Sequence, residues 1–270
     1  MRTLPLMNIS SILPAVRFGI QRRLEFRRMQ KVHRNSGRSF SVETLVPPGA
    51  PPTTQAQPAG ERIRALREAT LREKKMWDRV KLSFHEQTHE RQKPLNFFKL
   101  QIELMKYISG QTMVEIGSAR ARMPHLITEF NPVCCNDGHS TYHWASAQAF
   151  EVHTFDINPE SKATLDRVRF PNLTACTGDG IKFLREWSGP GIDFIFLDAW
   201  DVGVPEYAEK HLEAYHAIKD KLSARHIIGI DDTDFAGDGK GKLLVPHLKS
   251  LGYQLVADGR ETVFTNFDIG

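Results

Sequence analysis

The run Ile192–Asp201, I-D-F-I-F-L-D-A-W-D, constrains the fold of this chain more than any other stretch. Ile195, Phe196 and Leu197 follow one another without a polar break, so the segment reads as a strand buried on both faces. Such strands belong to parallel sheets covered by helices. This one delivers Asp198 at its carboxyl end, and a second run, Ile227–Ile230, delivers Asp231 and Asp232 in the same way. Ligands of open α/β sheets bind outside the carboxyl ends of the strands. Buried carboxylates are costly unless paired or metal-bound. Three at one edge suit an oxygen-liganded, octahedral ion such as Mg2+, or acid–base chemistry. The competing reading is a set of loop caps and arginine partners.

From Thr112 onward, short apolar runs alternate with helical segments, the pattern of a parallel α/β sheet. Strands are predicted at 112–116, 151–155, 172–175, 192–197 and 226–230. Helices are predicted at 140–149, 159–168, 180–187, 205–221 and 241–251. Two last runs, Gln254–Ala257 and Thr262–Asn266, flank Asp258-Gly259, a hairpin signal. The expected fold is α/β and Rossmann-like: a mostly parallel seven-stranded sheet with a C-terminal antiparallel hairpin and helices on both faces.

The part before Thr112 is organised differently. Residues 1–45 form a basic tail. Within 1–42 stand nine Lys and Arg against Glu25 alone, so the chain's net charge of +4 resides in the tail and the remainder is net acidic. That balance gives no reason to expect a nucleic-acid-binding core. Residues 46–60 are a Pro-rich linker. Residues 61–110 form a helical extension, with a charged helix over 61–90 and a more apolar one over 95–108 carrying Phe98, Ile102, Leu104, Met105 and Ile108. Residues 111–270 form the ligand-binding domain. Pro5 and Pro14 break the apolar start, which lacks a small-residue cleavage site, so a secretory signal is not expected. The tail is read as a solvated segment, a mitochondrial transit peptide, or a basic stretch making weak contact with an anionic membrane. The three cysteines, Cys134, Cys135 and Cys176, imply no disulfide framework. A vicinal pair also makes Cys134-Cys135 with His139 and His143 an awkward zinc site.

Several residues suggest a nucleotide-like ligand. Glu115-Ile116-Gly117 ends the first strand, but no compact G-x-G-x-x-G follows. A glycine appears later, in Asp137-Gly138-His139-Ser140-Thr141, ahead of a helix. We read a split loop, with Glu115 and Gly117 on one side of an excursion and Gly138 and Ser140 on the other; the plainer reading is an ordinary capped connection. Asp156, ending the second strand, suits ribose hydroxyls, or a helix cap. Asp179, in Gly178-Asp179-Gly180, suits an exocyclic amine or, equally, a cap. Trp200 is either a wall against which a cofactor stacks or surface cover.

The order E-x-G, G-x-S-T, an acid after strand two, G-D-G, F-L-D-x-W and an acidic pair after strand five resembles class I S-adenosylmethionine-dependent methyltransferases. It is most similar to the metal-dependent catechol O-methyltransferase group and its bacterial small-molecule relatives. The resemblance covers about residues 95–270. It implies a methyltransferase fold and an S-adenosylmethionine site, with Glu115 and Gly117 at the methionine end and Ser140 near the cofactor carboxylate. Asp156 would lie at the ribose, Asp179 near the adenine and Trp200 beside it. Asp198, Asp231 and Asp232 would hold Mg2+, Asp232 standing where the group usually has Asn. The excursion between Gly117 and Gly138 is longer than in the catechol enzymes, and Asp201 stands where they carry a lysine. His139, His143 and Asp201 are therefore the candidate bases.

The leading expectation is a cytoplasmic, Mg2+-dependent O-methyltransferase acting on a small hydroxylated molecule such as a sugar, polyketide or phenol. A transit peptide would move it to the mitochondrial matrix. The alternatives are an oxidoreductase or hydroxylase on the same fold, or a non-catalytic scaffold recruited to membranes by the tail. The sequence leaves the oligomeric state open.

Overall fold

Each of the first five strands is joined to the next by a connection bearing a helix, which permits parallel pairing. In the computed structural model the described residues are 58–72, 95–119, 140–167, 170–235 and 237–269. All of them lie in the unit Pro51–Gly270. In chain order the elements are α1 (Ala59–Arg72), α2 (Leu95–Tyr107), β1 (Thr112–Ile116), α3 (Ser140–Ser146), β2 (Glu151–Asp156), α4 (Pro159–Leu165) and β3 (Leu173–Thr177). They continue with α5 (Gly180–Glu186), β4 (Ile192–Leu197), α6 (Tyr207–Ile218), β5 (Leu222–Ile230), α7 (Leu244–Ser250), β6 (Gln254–Asp258) and β7 (Thr262–Thr265). The sheet has seven strands in the order β3-β2-β1-β4-β5-β7-β6. β7 runs antiparallel to both of its neighbours, and the other pairings are parallel.

Side chains alternate across the sheet, and this divides the core into two layers. Met113, Phe194, Phe196 and Ile227 pack on one face against Phe97, Leu100, Leu104 and Met105 of α2, with Ile63 of α1 and Trp144 of α3. Val114, Ile195, Leu197 and Ile228 pack on the other against Ile181 and Leu184 of α5, Ala214 and Ile218 of α6, and Leu244 and Leu248 of α7. Every residue of β1 is buried. Burying one such large apolar side chain contributes about 1.5–3 kcal/mol, so these two layers carry most of the stabilisation. The helical extension joins the first layer directly, and Arg62 of α1 donates to Glu103 of α2 at 2.8 Å. Local signals set the helix starts. Asn158 caps α4 by accepting from the Glu160 N–H, and Asp179 caps α5 by accepting from the Ile181 and Lys182 N–H groups.

Some boundaries differ from the sequence expectation. β5 begins at Leu222 rather than 226, through pairing of Ile192 with Leu222 across an irregular register. The helix expected over 241–251 is confined to Leu244–Ser250, after a separate 3-10 turn at Gly239–Gly241. The helix expected over 61–90 is seen as α1; residues 73–90 lie outside the described residues. Among the described residues no helix is long and apolar enough to cross a membrane.

Candidate functional site

Strand register places the chemistry in one row. Ile116 pairs with Leu197, and Leu197 pairs with Ile230, so the residues that follow them, Gly117, Asp198 and Asp231, emerge side by side. The row is continued by hydrogen bonds, Asp198 N–H to Ile116 O at 2.8 Å and Asp231 N–H to Leu197 O at 3.1 Å. Gly117 is required here: its φ is +89°, and a Cβ would stand 2.7 Å from the backbone of Asp198 and Ala199. β7 runs opposite to β5, with Ile230 facing Thr262. The residues before Thr262 are thereby returned to the same edge, which brings in Arg260 and Glu261. Thr233 fastens the two loops, its N–H donating to Arg260 O at 3.1 Å and its hydroxyl to Gly259 O at 3.0 Å.

Asp198, Asp231 and Asp232 converge as the sequence predicts, with one carboxylate oxygen from each lying within 4.8 Å of the others. The sequence reading allowed for arginine partners as its competing account, which Arg260 supplies, but did not foresee a buried lysine among them. Lys240, from the 3-10 turn after β5, has 0% exposure. Its Nζ donates to Asp198 Oδ1 at 2.5 Å and Asp198 O at 2.9 Å. It also lies 3.4 Å from Asp232 Oδ2 and 4.0 Å from Asp231 Oδ2. Arg260 approaches from the hairpin side, with Nη2 2.6 Å from Asp232 Oδ1 and Nε 3.5 Å from Asp231 Oδ1. Burial pushes the Asp198 carboxyl up, against the pull of Lys240. Burial together with the charges of Asp198 and Asp232 pushes Asp231 well up. Burial alone would lower the Lys240 amine, but the three carboxylates reverse this and hold it well above the usual lysine range, fully protonated.

Beneath the cluster Glu261 is buried and accepts from Gln101 Nε2 at 2.5 Å. Burial and the nearby Asp231 charge push its carboxyl well up. His211 of α6 is fully buried; its Nδ1 donates to Tyr207 O at 2.6 Å, and burial pushes the imidazole down to about 4. It is therefore neutral at pH 7, and Trp200, at φ +50°, meets its ring edge-on at 5.3 Å. Lys240, Arg260, Glu261, Gln101 and His211 were all missed in the sequence. The available signals were a lysine between glycines in Gly239-Lys240-Gly241 and a glutamine inside the apolar stripe of α2.

Of the residues expected at a cofactor, Glu115, Gly117, Asp156 and Asp179 lie at or beside the ends of β1, β2 and β3, whereas Trp200 follows β4. Asp156 Oδ2 accepts from the Ser118 N–H at 3.1 Å and Oδ1 from the Asn158 N–H at 2.8 Å. Beside it Ile157 is 78% exposed, an apolar side chain left in solvent at the ligand edge. Asp179 uses Oδ1 to cap α5. Glu115 is sealed inside: Thr141 and Thr154 hydroxyls donate to Oε2 at 2.6 and 2.7 Å and Trp144 Nε1 to Oε1 at 3.1 Å, so its carboxylate ties α3 and β2 to β1. Burial nevertheless pushes it up to about 6. Ser140 is the buried first residue of α3. His143 stacks on Phe98 of α2, with centroids 4.9 Å apart. Asp201 is exposed and stands outside the converging carboxylates. Gly138 and His139, with Cys134 and Cys135, lie outside the described residues.

No protein-family model matches the sequence, and neither does any curated protein. Solved structures do match. The O-methyltransferase NovP superposes with a TM-score of 0.50 at 9% identity, over 78% of this chain and 100% of NovP. With a strand order of 3-2-1-4-5-7-6 and a reversed seventh strand, that superposition decides the architecture. The fold is that of the class I methyltransferases. A methyltransferase from Geobacter sulfurreducens is more distant, with a TM-score of 0.43 at 12% identity over 63% of this chain and 77% of that one. At these identities the class I methyltransferase likeness speaks to fold alone.

Proposed function

We propose that this chain is an S-adenosylmethionine-dependent methyltransferase that methylates a hydroxyl of a small molecule, with a divalent ion of the Mg2+ type at the acceptor. The observation that carries the reading is the convergence of Asp198, Asp231 and Asp232 at the carboxyl edge of a class I methyltransferase sheet, next to Gly117. NovP, which shares the fold, is an O-methyltransferase.

The residues fit both groups. Asp156 keeps carboxylate lone pairs beyond those used by Ser118 and Asn158, enough to accept from ribose hydroxyls. Ile157 offers an apolar face beside it, and the Asp179 oxygen not engaged in the cap faces no competing helix N–H. Gly117 lets the chain after β4 approach the end of β1 closely and so fixes Asp198 beside the cofactor edge. S-adenosylmethionine supplies an electrophilic methyl group, and the three aspartates are an all-oxygen donor set that would hold a hard cation able to acidify an acceptor hydroxyl. The protein's part is to align the acceptor oxygen with the methyl group in a dry site.

The basic tail supports weak contact with anionic membrane surfaces, and a cytoplasmic or mitochondrial-matrix location is proposed on the same ground. Calorimetry with S-adenosylhomocysteine tests the cofactor assignment, with NAD and NADP as alternatives. Asp156→Ala should weaken binding of the sulfur nucleoside at least tenfold, about 1.4 kcal/mol. Unchanged affinity in a folded variant removes Asp156 from the site, and binding of NAD in its place replaces the reading with a redox enzyme.

A further inference from the structure

A fully buried lysine whose ammonium hydrogen-bonds Asp198 and stands within 4.0 Å of Asp231 and Asp232 is already a bound cation, supplied by the chain itself. We propose that Lys240 is a tethered cation that fills the Asp198–Asp231–Asp232 cluster in the absence of a divalent ion, so that ammonium and ion exclude one another. The inference rests on the metal reading above and adds how that site is regulated: ion entry must expel Lys240.

Geometry leaves little room for both. Lys240 Nζ takes Asp198 Oδ1 at 2.5 Å and lies within 4.0 Å of the other two carboxylates, inside the group that would hold an ion. Charge argues the same way. Three carboxylates face two cations, Lys240 and Arg260. Adding a divalent ion beside both would make the cluster net positive, whereas exchanging it for the ammonium leaves the cluster neutral. Like charges at such separations, shielded from water, repel strongly.

The backbone is arranged to insert this one side chain. Lys240 sits in a 3-10 turn approached through three successive left-handed residues, Gly237 at +79°, Asp238 at +67° and Gly239 at +49°. A Cβ on Gly239 would overlap Asp232 O at 1.9 Å, so the turn lies directly on the loop that carries the carboxylates, and the Lys240 N–H donates to Asp232 O at 3.2 Å. Exchange therefore calls for the long Lys240 side chain to swing out of the cluster while its backbone stays on the Asp232 loop.

Two measurements test this. Mn2+ binding, followed by electron paramagnetic resonance, should be at least tenfold tighter in Lys240→Met than in the wild type, with Lys240→Gln as the second variant. In the wild type, Lys240 should resist acetylation by an N-hydroxysuccinimide ester without Mg2+ and become labelled at saturating Mg2+, as read by peptide mass spectrometry. The labelling arm needs no variant to fold. Equal or weaker Mn2+ binding by the variants, or a Lys240 that stays protected while the wild type is loaded with ion, overturns the inference and leaves the metal reading standing. If neither wild type nor variants bind Mn2+ while S-adenosylhomocysteine still binds, the metal reading is overturned and the exclusion goes with it.

Discussion

Replacing Glu115 by Gln should flatten the pH dependence of stability without unfolding the protein. In the folded chain burial raises this carboxyl to about 6, opposed by hydrogen bonds from Thr141, Thr154 and Trp144, against an ordinary value of 4.5. That gap corresponds to about 2 kcal/mol. The sign follows from which state holds the proton. Between the two values the folded state is protonated and the unfolded state is not, so stability falls as pH rises through this window. The contribution is complete below 4.5 and lost above about 6. Gln has no such titration. Its oxygen can accept from Trp144 Nε1 and its NH2 can face the Thr141 and Thr154 hydroxyls, which rotate to accept. Imperfect pairing there costs on the order of 1 kcal/mol at every pH. Urea unfolding of both proteins from about pH 4.5 to about pH 7.5 reads the difference. The stability of Glu115→Gln minus that of the wild type should rise by about 2 kcal/mol across the range. Asp198, Asp231 and Glu261 are raised too, but they are present in both proteins and cancel. Parallel curves, or a difference that shrinks with rising pH, would refute the reasoning.

Asp198→Asn should lower methyl transfer by about 10²-fold, since it removes charge where the acceptor is activated. S-adenosylhomocysteine affinity should stay unchanged, chelation should mimic the variant, and activity that survives chelation refutes metal dependence. A chain beginning at Pro58 keeps the carbonyl that accepts from the Glu61 and Arg62 N–H groups at the start of α1. It should melt within about 2–4 °C of the full chain, the shift that about 1 kcal/mol produces in a domain of this size; a larger loss would show that the tail or linker supports the core.

The sheet was legible because strands buried on both faces must be apolar without interruption. β4 carries that signature over Phe194–Leu197 and β1 over Met113-Val114, broken only by the internally bonded Glu115, and the Asp258-Gly259 signal located the hairpin. The first residues of β5, Leu222–Arg225, are partly or fully exposed and so carry no such run. The three aspartates were legible because acids directly after apolar strands have one edge to occupy. Their counter-charges were not. Lys240 and Arg260 lie in polar turns, where a cation ordinarily reads as solvated, and only the reversed direction of β7 and the glycine-permitted turn bring them inward. Asp179 shows the opposite hazard, for the plain helix-cap reading describes what it does here and any ligand must share it. His143 was singled out as a candidate base, yet its ring packs on Phe98, as a histidine on a short buried helix commonly does.

The row of strand ends also explains why one edge can host two chemistries. Asp156 follows β2, and Asp198 follows β4, with β1 between them in the sheet. Strands are spaced about 4.8 Å apart, so the two carboxylates are separated by about 10 Å along the edge. Gly117, at the end of β1, is the residue between them, and it alone keeps that interval free of a side chain. A donor anchored at Asp156 and an acceptor held at the aspartate cluster would meet above Gly117. Gly117→Ala would push on the Asp198 backbone, which the glycine approaches more closely than any Cβ permits. The absent Cβ of Gly117 thus lets the ends of β1 and β4 close on one another and sets the position of the first carboxylate on the acceptor side.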